Sequence, residues 1–288
     1  ASMRHPVTIA SFAVTTVALA ACSGTMDRDA VERSIQGVNV VDETNLGDVM
    51  LTVGDPNEAV SYFQRTLSDH PDRIDVRRGL AKSLVRARRI SEARVAWEAV
   101  TAHEDATNED HVALADAMIR GGDWQAAEAT LDAVPPTHET YRRYRLEAMV
   151  ADSNKQWDKA DSFYEVAAGL TATPASVLNN WGYSKLTRGD AAAAERLFAD
   201  AVRQDDSLFT AKNNLAMARG AQGNYTLPVV PMTQTERAQL LHTLGLAAIK
   251  RGDVQIGKSL LREALETHPQ HFDAAARALQ ALETGVAN

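Results

Sequence analysis

Residues 177–206 read VLNNWGYSKLTRGDAAAAERLFADAVRQDD, and their spacing decides the fold. Apolar and small residues return at helical intervals on both sides of Gly189-Asp190, so the stretch reads as two amphipathic helices joined by a tight turn. The first helix sets a large residue beside a small one at Trp181-Gly182, and the second carries the ladder Ala194, Phe198 and Ala201. Small residues where helices cross let the axes approach, and the large side chain fills the space beside them.

The pattern recurs. Its turn marker stands at Gly54-Asp55, Gly122-Asp123, Gly189-Asp190, Gly223-Asn224 and Gly252-Asp253, with Arg88-Arg89 and Lys155-Gln156 filling the gaps. Successive markers lie 34, 34, 33, 34, 34 and 29 residues apart. Seven residues before each marker stands a small residue: Gly47, Ala81, Ala115, Ala148, Gly182, Ala216 and Gly245. Five residues after it comes another, at Ala59, Ala93, Ala127, Ala160, Ala194 and Gly257, with Pro228 breaking the sixth unit. Four further on sits a large apolar residue: Phe63, Trp97, Leu131, Tyr164, Phe198 and Leu261. A fixed period of this length is the mark of a repeat architecture.

These columns resemble the tetratricopeptide repeat (TPR). The resemblance covers about 40 to 271 and implies an all-α fold, a right-handed superhelical TPR solenoid of about six to seven helix-turn-helix repeats with a C-terminal capping helix. Units start near 40, 74, 108, 141, 175 and 209, spanning 40–224, and a last repeat with its cap spans 238–288. Two features depart from the pattern: Glu147 fills a column that is Leu or Trp elsewhere, and the turn at Arg88-Arg89 is basic.

Between these parts, a break over 225–237 contains Pro228 and Pro231, each of which denies a helix its hydrogen bond. The sixth unit therefore lacks its second helix. The break reads either as a packed insertion or as a defect that exposes a docking edge. Thr233 and Glu236 form a capping-box pattern that opens a helix over 234–251. After Pro269, the stretch HFDAAARALQALE reads as a helix that covers the last repeat's apolar face.

The amino-terminal segment is of another kind. After Arg4 and His5 come sixteen uncharged residues, PVTIASFAVTTVALAA, ending in small residues before Cys22, the one cysteine in 288 residues. A basic start, an apolar middle and a small-residue exit give the order of an export signal over 1–21. Ala1 and Ser2 precede the natural-looking start at Met3 and read as a cloning remnant. Leu19-Ala20-Ala21-Cys22 resembles the lipobox of bacterial lipoproteins, which implies cleavage before Cys22 and lipidation of its sulfur. Ser23 follows, where an Asp would mark inner-membrane retention, so the expected location is the outer membrane with the repeats facing the periplasm. Residues 22–39 then form the lipidated terminus and a tether.

Composition and motifs exclude several functions. With 30 Lys and Arg against 38 Asp and Glu, the net charge of -8 argues against nucleic acid as a partner. The sequence lacks a phosphate-binding glycine loop, a nucleophile elbow, a paired-histidine zinc motif and a calcium loop, so no catalytic residue, metal ligand or cofactor is assigned. His268 and His271 in THPQH, and the stretch HEDATNEDH over 103–111, read as loops.

In a repeat scaffold of this kind, partners sit on the face lined by each unit's first helix. Arg78, Lys82 and Arg86 recur every four residues on one such helix, and Arg142 and Arg145 occupy the corresponding helix two units on. This basic stretch reads equally as a dock for an acidic segment or chain terminus and as a solvated stripe. Asn179-Asn180 and Asn213-Asn214 hold equivalent places in adjacent units, with Tyr183 and Met217 one turn on. Asparagine is a poor helix former. One of each pair either bonds a bound peptide backbone or ties one repeat to the next.

Lipobox, length and the segments LNNWGYSKLTRGD and KNNLAMARGAQGN are together similar to the TadD lipoproteins of tight-adherence (Flp) pilus systems. The resemblance implies a non-enzymatic scaffold, or pilotin, that binds protein or peptide segments of a secretin or other pilus-assembly component. An adaptor for an envelope enzyme, such as a peptidoglycan synthase or protease, is the alternative. A third reading is an enzyme with a site among the histidines.

Overall fold

A computed structural model describes Gly47 and residues 50–284. The export signal, Cys22 and the tether lie outside the described residues. Regular structure among the described residues is helical throughout: α1 (Pro56–Asp69), α2 (Ile74–Arg86), α3 (Ile90–Thr101), α4 (Asn108–Arg120), α5 (Trp124–Asp132), α6 (Tyr141–Ser153), α7 (Trp157–Gly169), α8 (Ala175–Thr187), α9 (Ala191–Gln204), α10 (Phe209–Ala221), α11 (Gln234–Arg251), α12 (Val254–Thr267) and α13 (Asp273–Thr284). The described residues divide into two compact bodies, one up to His138 with Ser153–Lys155, and one of Glu139–Asp152 with the residues from Gln156 on. In each body, helices adjacent in sequence pack against one another in hairpins.

The turn marker has a physical basis. Gly122, Gly189, Gly223 and Gly252 adopt left-handed φ values of 80, 88, 79 and 96°, and Arg88 and Lys155 adopt the same region at 59 and 57°. The next residue then donates its N–H to the carbonyl five positions back: Asp123 to Met118, Asp190 to Lys185, Asn224 to Arg219, Asp253 to Ala248, Arg89 to Leu84 and Gln156 to Ala151. That is the Schellman C-cap, which satisfies carbonyls the helix end would leave orphaned. The Asp after the Gly then serves the following helix: Asp55 accepts from the N–H groups of Asn57 and Glu58, Asp123 from Ala126 and Asp190 from Ala193. Gly-Asp is thus a C-cap followed at once by an N-cap. This is how two helices reverse within two residues.

The repeated columns form the core. Ala59, Ala93, Ala127, Ala160 and Ala194 are buried, as are the large residues one turn on, from Phe63 to Leu261. In the first body Phe63 packs with Met50, Ala59 and Val76, and Val60 joins Leu84 and Ala93. In the second, Tyr164 packs among Ala148, Ala151, Ala160, Ala167 and Val177, and Phe198 among Ala194, Leu215 and Ala218.

No helix spans the two prolines. Instead the extended segment between α10 and α11 drops Leu227, Val230 and Met232 into the places a second helix would fill. Val230 packs on the Phe198 and Ala201 clusters, while Leu227 and Met232 pack on Ala216, Leu240 and Leu244. Val229 points fully into solvent, and beside it lies an open cleft of about 650 Å³ lined by Ala199, Val202, Leu215, Arg219 and the two prolines. Thr233 then starts α11: its Oγ1 accepts from the Glu236 N–H at 3.1 Å, and the Glu236 carboxylate accepts from the Thr233 N–H at 2.7 Å. Lys212, buried on α10, reaches the same carboxylate at 3.1 Å and pins α10 to the start of α11.

Candidate functional site

On α2 of the first body the three basic residues have different roles. Arg78 is committed to α4: its Nε and Nη2 meet the Asp110 oxygens at 2.8 and 2.7 Å, and Nη2 also reaches the Asp105 carbonyl. Burial raises the Asp110 pKa, yet the Arg78 guanidinium and the Thr107 donors outweigh it and hold the carboxyl below its ordinary value. Arg86 donates to the Met50 and Gly54 carbonyls at 3.0 Å each, capping the helical turn over 50–52 that comes before α1. Lys82, between them, is exposed and makes no hydrogen bond or ion pair among the described residues.

In the second body the first helices α6, α8, α10 and α11 are joined by side chains into a row. Asn214 Nδ2 donates to Asn179 Oδ1 at 3.0 Å, linking α10 to α8. Thr243 Oγ1 donates to Asn213 Oδ1 at 2.6 Å, linking α11 to α10. Asn180 Nδ2 lies 3.8 Å from Met149 Sδ, linking α8 to α6, and Asn213 Nδ2 lies 3.9 Å from Met217 Sδ. Tyr183 packs beside the Phe198 cluster and is half-buried, as is Met217. Arg142 and Arg145 lie half-buried on α6, and the Arg145 Nε is buried with no acceptor.

Two carboxylates behind this row were not singled out from sequence. Asp161 on α7 accepts from Trp181 Nε1 at 2.8 Å, Lys185 Nζ at 2.7 Å and Arg188 Nη2 at 2.6 Å, all on α8. Burial works against its charge, but these donors lower its pKa to about 2. Arg188 also lies over the Trp157 ring, 5.2 Å from its centroid. Asp152 on α6 accepts from Ser184 Oγ at 2.7 Å and from Tyr164 Oη at 3.0 Å. Here burial exceeds the help of the two hydroxyls, and the pKa is raised.

The two shifts give opposite pH dependences. A raised folded pKa means that the Asp152 contribution is fully present below its unfolded pKa and lost as pH rises through the folded one. Asp152→Asn, which keeps partners for both hydroxyls, is expected to gain stability relative to the parent as pH rises from 4 to 7. Urea unfolding at both pH values checks this, and a difference that does not change with pH contradicts it.

The histidines do not converge. His268 stacks on Phe272 and meets the backbone of Gln270, while His271 lies 2.9 Å from Asp273. Among the described residues no group of three or more His, Cys, Asp or Glu is placed to hold a metal, and no helix is long and apolar enough to cross a membrane.

Tandem helical hairpins, turned by Schellman caps and joined through their first helices, define a helical-repeat protein. A tetratricopeptide-repeat family model matches residues 50–109. A chain of the APC/C hetero-tetramer Cut9-Hcn1 is similar with a TM-score of 0.60 and 14% identity, over 88% of this chain and 51% of that one. A tetratricopeptide repeat protein from Parabacteroides merdae is similar with a TM-score of 0.55 and 11% identity, over 82% and 95% of the two chains. Human IFIT1, in its dimer with PPP-AAAA, gives 0.56 and 16%, over 82% and 61%. The chain thus spans about half the length of the Cut9-Hcn1 chain it matches. A search of the curated proteins finds no match. The fold is that of a tetratricopeptide-repeat protein.

Proposed function

We propose that the chain is a non-enzymatic TPR scaffold that binds protein segments along its first-helix faces. We further propose that it does so as an outer-membrane lipoprotein, lipidated at Cys22, in support of a tight-adherence pilus or its secretin. The observation that carries the binding role is the division of labour among the basic residues. Arg78 and Arg86 are spent within the fold, whereas Lys82 on the same helix is exposed and pairs with nothing among the described residues, and the Nε of Arg145, the counterpart of Arg78 two units on, has no acceptor. Uncommitted cations on a face tied together by its neighbours suit acidic partner segments. Support for the anchor is the Leu19-Ala20-Ala21-Cys22 run behind an apolar leader. At about 0.8 kcal/mol per buried methylene, several acyl chains on one residue hold a protein lastingly at a membrane.

Cys22→Ser is expected to abolish incorporation of labelled palmitate and to release the chain from envelope membranes, with its helical circular dichroism intact. Retained label sinks the anchor. Recovery of secretin or pilus subunits in an envelope pull-down supports the assembly role, and recovery of hydrolases alone contradicts it.

A further inference from the structure

We infer that the proline break is the surface through which two copies of this chain pair about a two-fold axis, each seating Val229 in the cleft of the other.

The extended segment between α10 and α11 forms a ridge with an open groove on either side. The larger, of about 650 Å³, lies towards α9, and the smaller, of about 430 Å³, lies towards Arg237 on α11. The crest of the ridge is apolar and exposed, with Val229 fully in solvent and Pro231 beside it. It is nonetheless held in place. Leu227, Val230 and Met232 are set into the clusters beneath, the Tyr225 hydroxyl donates to Asp253, and the Val230 N–H donates to the Pro228 carbonyl at 3.1 Å. A side chain already fixed outside the fold gives up little freedom when a partner buries it, so nearly all of its apolar burial goes into association.

The occupant follows from what the surface holds. The larger groove has an apolar floor of Ala199, Val202 and Leu215, and its rim carries Arg203 and Arg219 together with Glu195, Asp205 and Asp206. Knob and hole thus stand side by side on one surface. A two-fold interface needs that arrangement, because whatever one copy inserts the other inserts in return. A partner of another kind would need the hole alone. With a net charge of -8 the chain repels its own copies in general, but a rim with both signs lets the rotation set cations of one copy against acids of the other. An added β-strand is disfavoured, since Pro228 and Pro231 have no N–H to offer and that of Val230 is already used. The pairing leaves the first-helix row open: Leu215 and Arg219 lie roughly 200° round α10 from Asn213 and Met217.

The test is sedimentation of the full chain in detergent over a range of protein concentrations, with thermal unfolding of the same samples. The parent is expected to sediment as a dimer with no larger species, and its melting temperature is expected to rise with concentration. Val229→Asp is expected to weaken pairing at least about a hundredfold, because two valines leave the interface together. Its helical circular dichroism and its melting temperature at low concentration should match the parent, since Val229 is exposed in its own fold. In a Cys22→Ser background, Val229→Cys chains mixed with Ala199→Cys chains are expected to form a mixed disulfide on oxidation. A parent that is monomeric at every concentration overturns the inference, as does a dimer that survives Val229→Asp. Mass that grows without limit as concentration rises points to head-to-tail contacts and overturns the two-fold. A monomeric parent whose envelope partners are lost in Val229→Asp assigns the cleft to another protein and overturns the second copy as its occupant.

Discussion

Replacing Phe198 with alanine is expected to cost about 4 kcal/mol of unfolding free energy, near the top of the range for core truncations. The ring is fully buried among Ala194, Leu215 and Ala218, with Tyr183 and Leu186 against the cluster, and small neighbours cannot collapse into the space it leaves. Its partner column gives a subtler expectation. A Cβ added to Gly182 would stand 2.7 and 2.8 Å from Phe198 Cε1 and Cδ1. Gly182→Ala gains about 0.5–1 kcal/mol of helix propensity. Overpacking a closed core costs about 1–3 kcal/mol, so the clash wins and the variant is less stable. In a Phe198→Leu background the same Gly182→Ala change should cost less, and a double-mutant cycle by urea unfolding measures that relief. Additive effects would show that the ring is not what forbids a side chain at 182. Because each repeat leans mainly on its neighbours, hydrogen exchange should rise around α8 to α10 first.

Phe198 and Gly182 also show why the fold was readable. Helical spacing alone places 182 and 198 in facing columns of one hairpin, and the same columns return every 33 or 34 residues over most of the chain. The Gly-Asp marker was equally visible, but its reason was not: the left-handed φ and the Asp cap belong to two different helices and emerge only from the backbone. Arg88 and Lys155 hold that conformation without glycine, which spacing betrays and residue type does not. Over 225–233 the prolines announced the missing helix, while the filling of its place by Leu227, Val230 and Met232 depended on contacts with clusters drawn from α9 to α13. The first-helix residues were harder. Face and register follow from period, so Arg78, Lys82, Arg145 and the asparagines could be picked out. What each one touches depends on the neighbouring repeat: Arg78 meets Asp110 32 positions on, Asn179 meets Asn214 35 on, and Asn213 meets Thr243 30 on. Polar pairs about one repeat apart were the available signal for separating ties from uncommitted donors. Asp161 and Asp152 needed burial as well, which the sequence does not display.

Asp161 carries the second large expectation. Asp161→Ala should lower stability by about 2 kcal/mol at neutral pH, since a shift from 3.8 to about 2 corresponds to roughly that energy once a quarter-exposed side chain is discounted for solvent screening. The sign is set by a depressed folded pKa: the contribution is present above 3.8 and is lost as pH falls through about 2. Parent and variant should therefore converge in urea midpoint between pH 5 and pH 2, and a gap of constant size would show that the carboxylate acts only by filling space. Removal also leaves Lys185 and Arg188 as neighbouring like charges with no acid between them and orphans the Trp181 N–H. Asp161→Asn, which retains an acceptor, should lose less. The effect reaches the proposed site by a short path, because the clamp fixes α8 on α7 and α8 carries Asn179 and Asn180. A loosened α8 is expected to weaken the Asn179–Asn214 tie, so Asp161→Ala should also raise hydrogen exchange along α8 and α10.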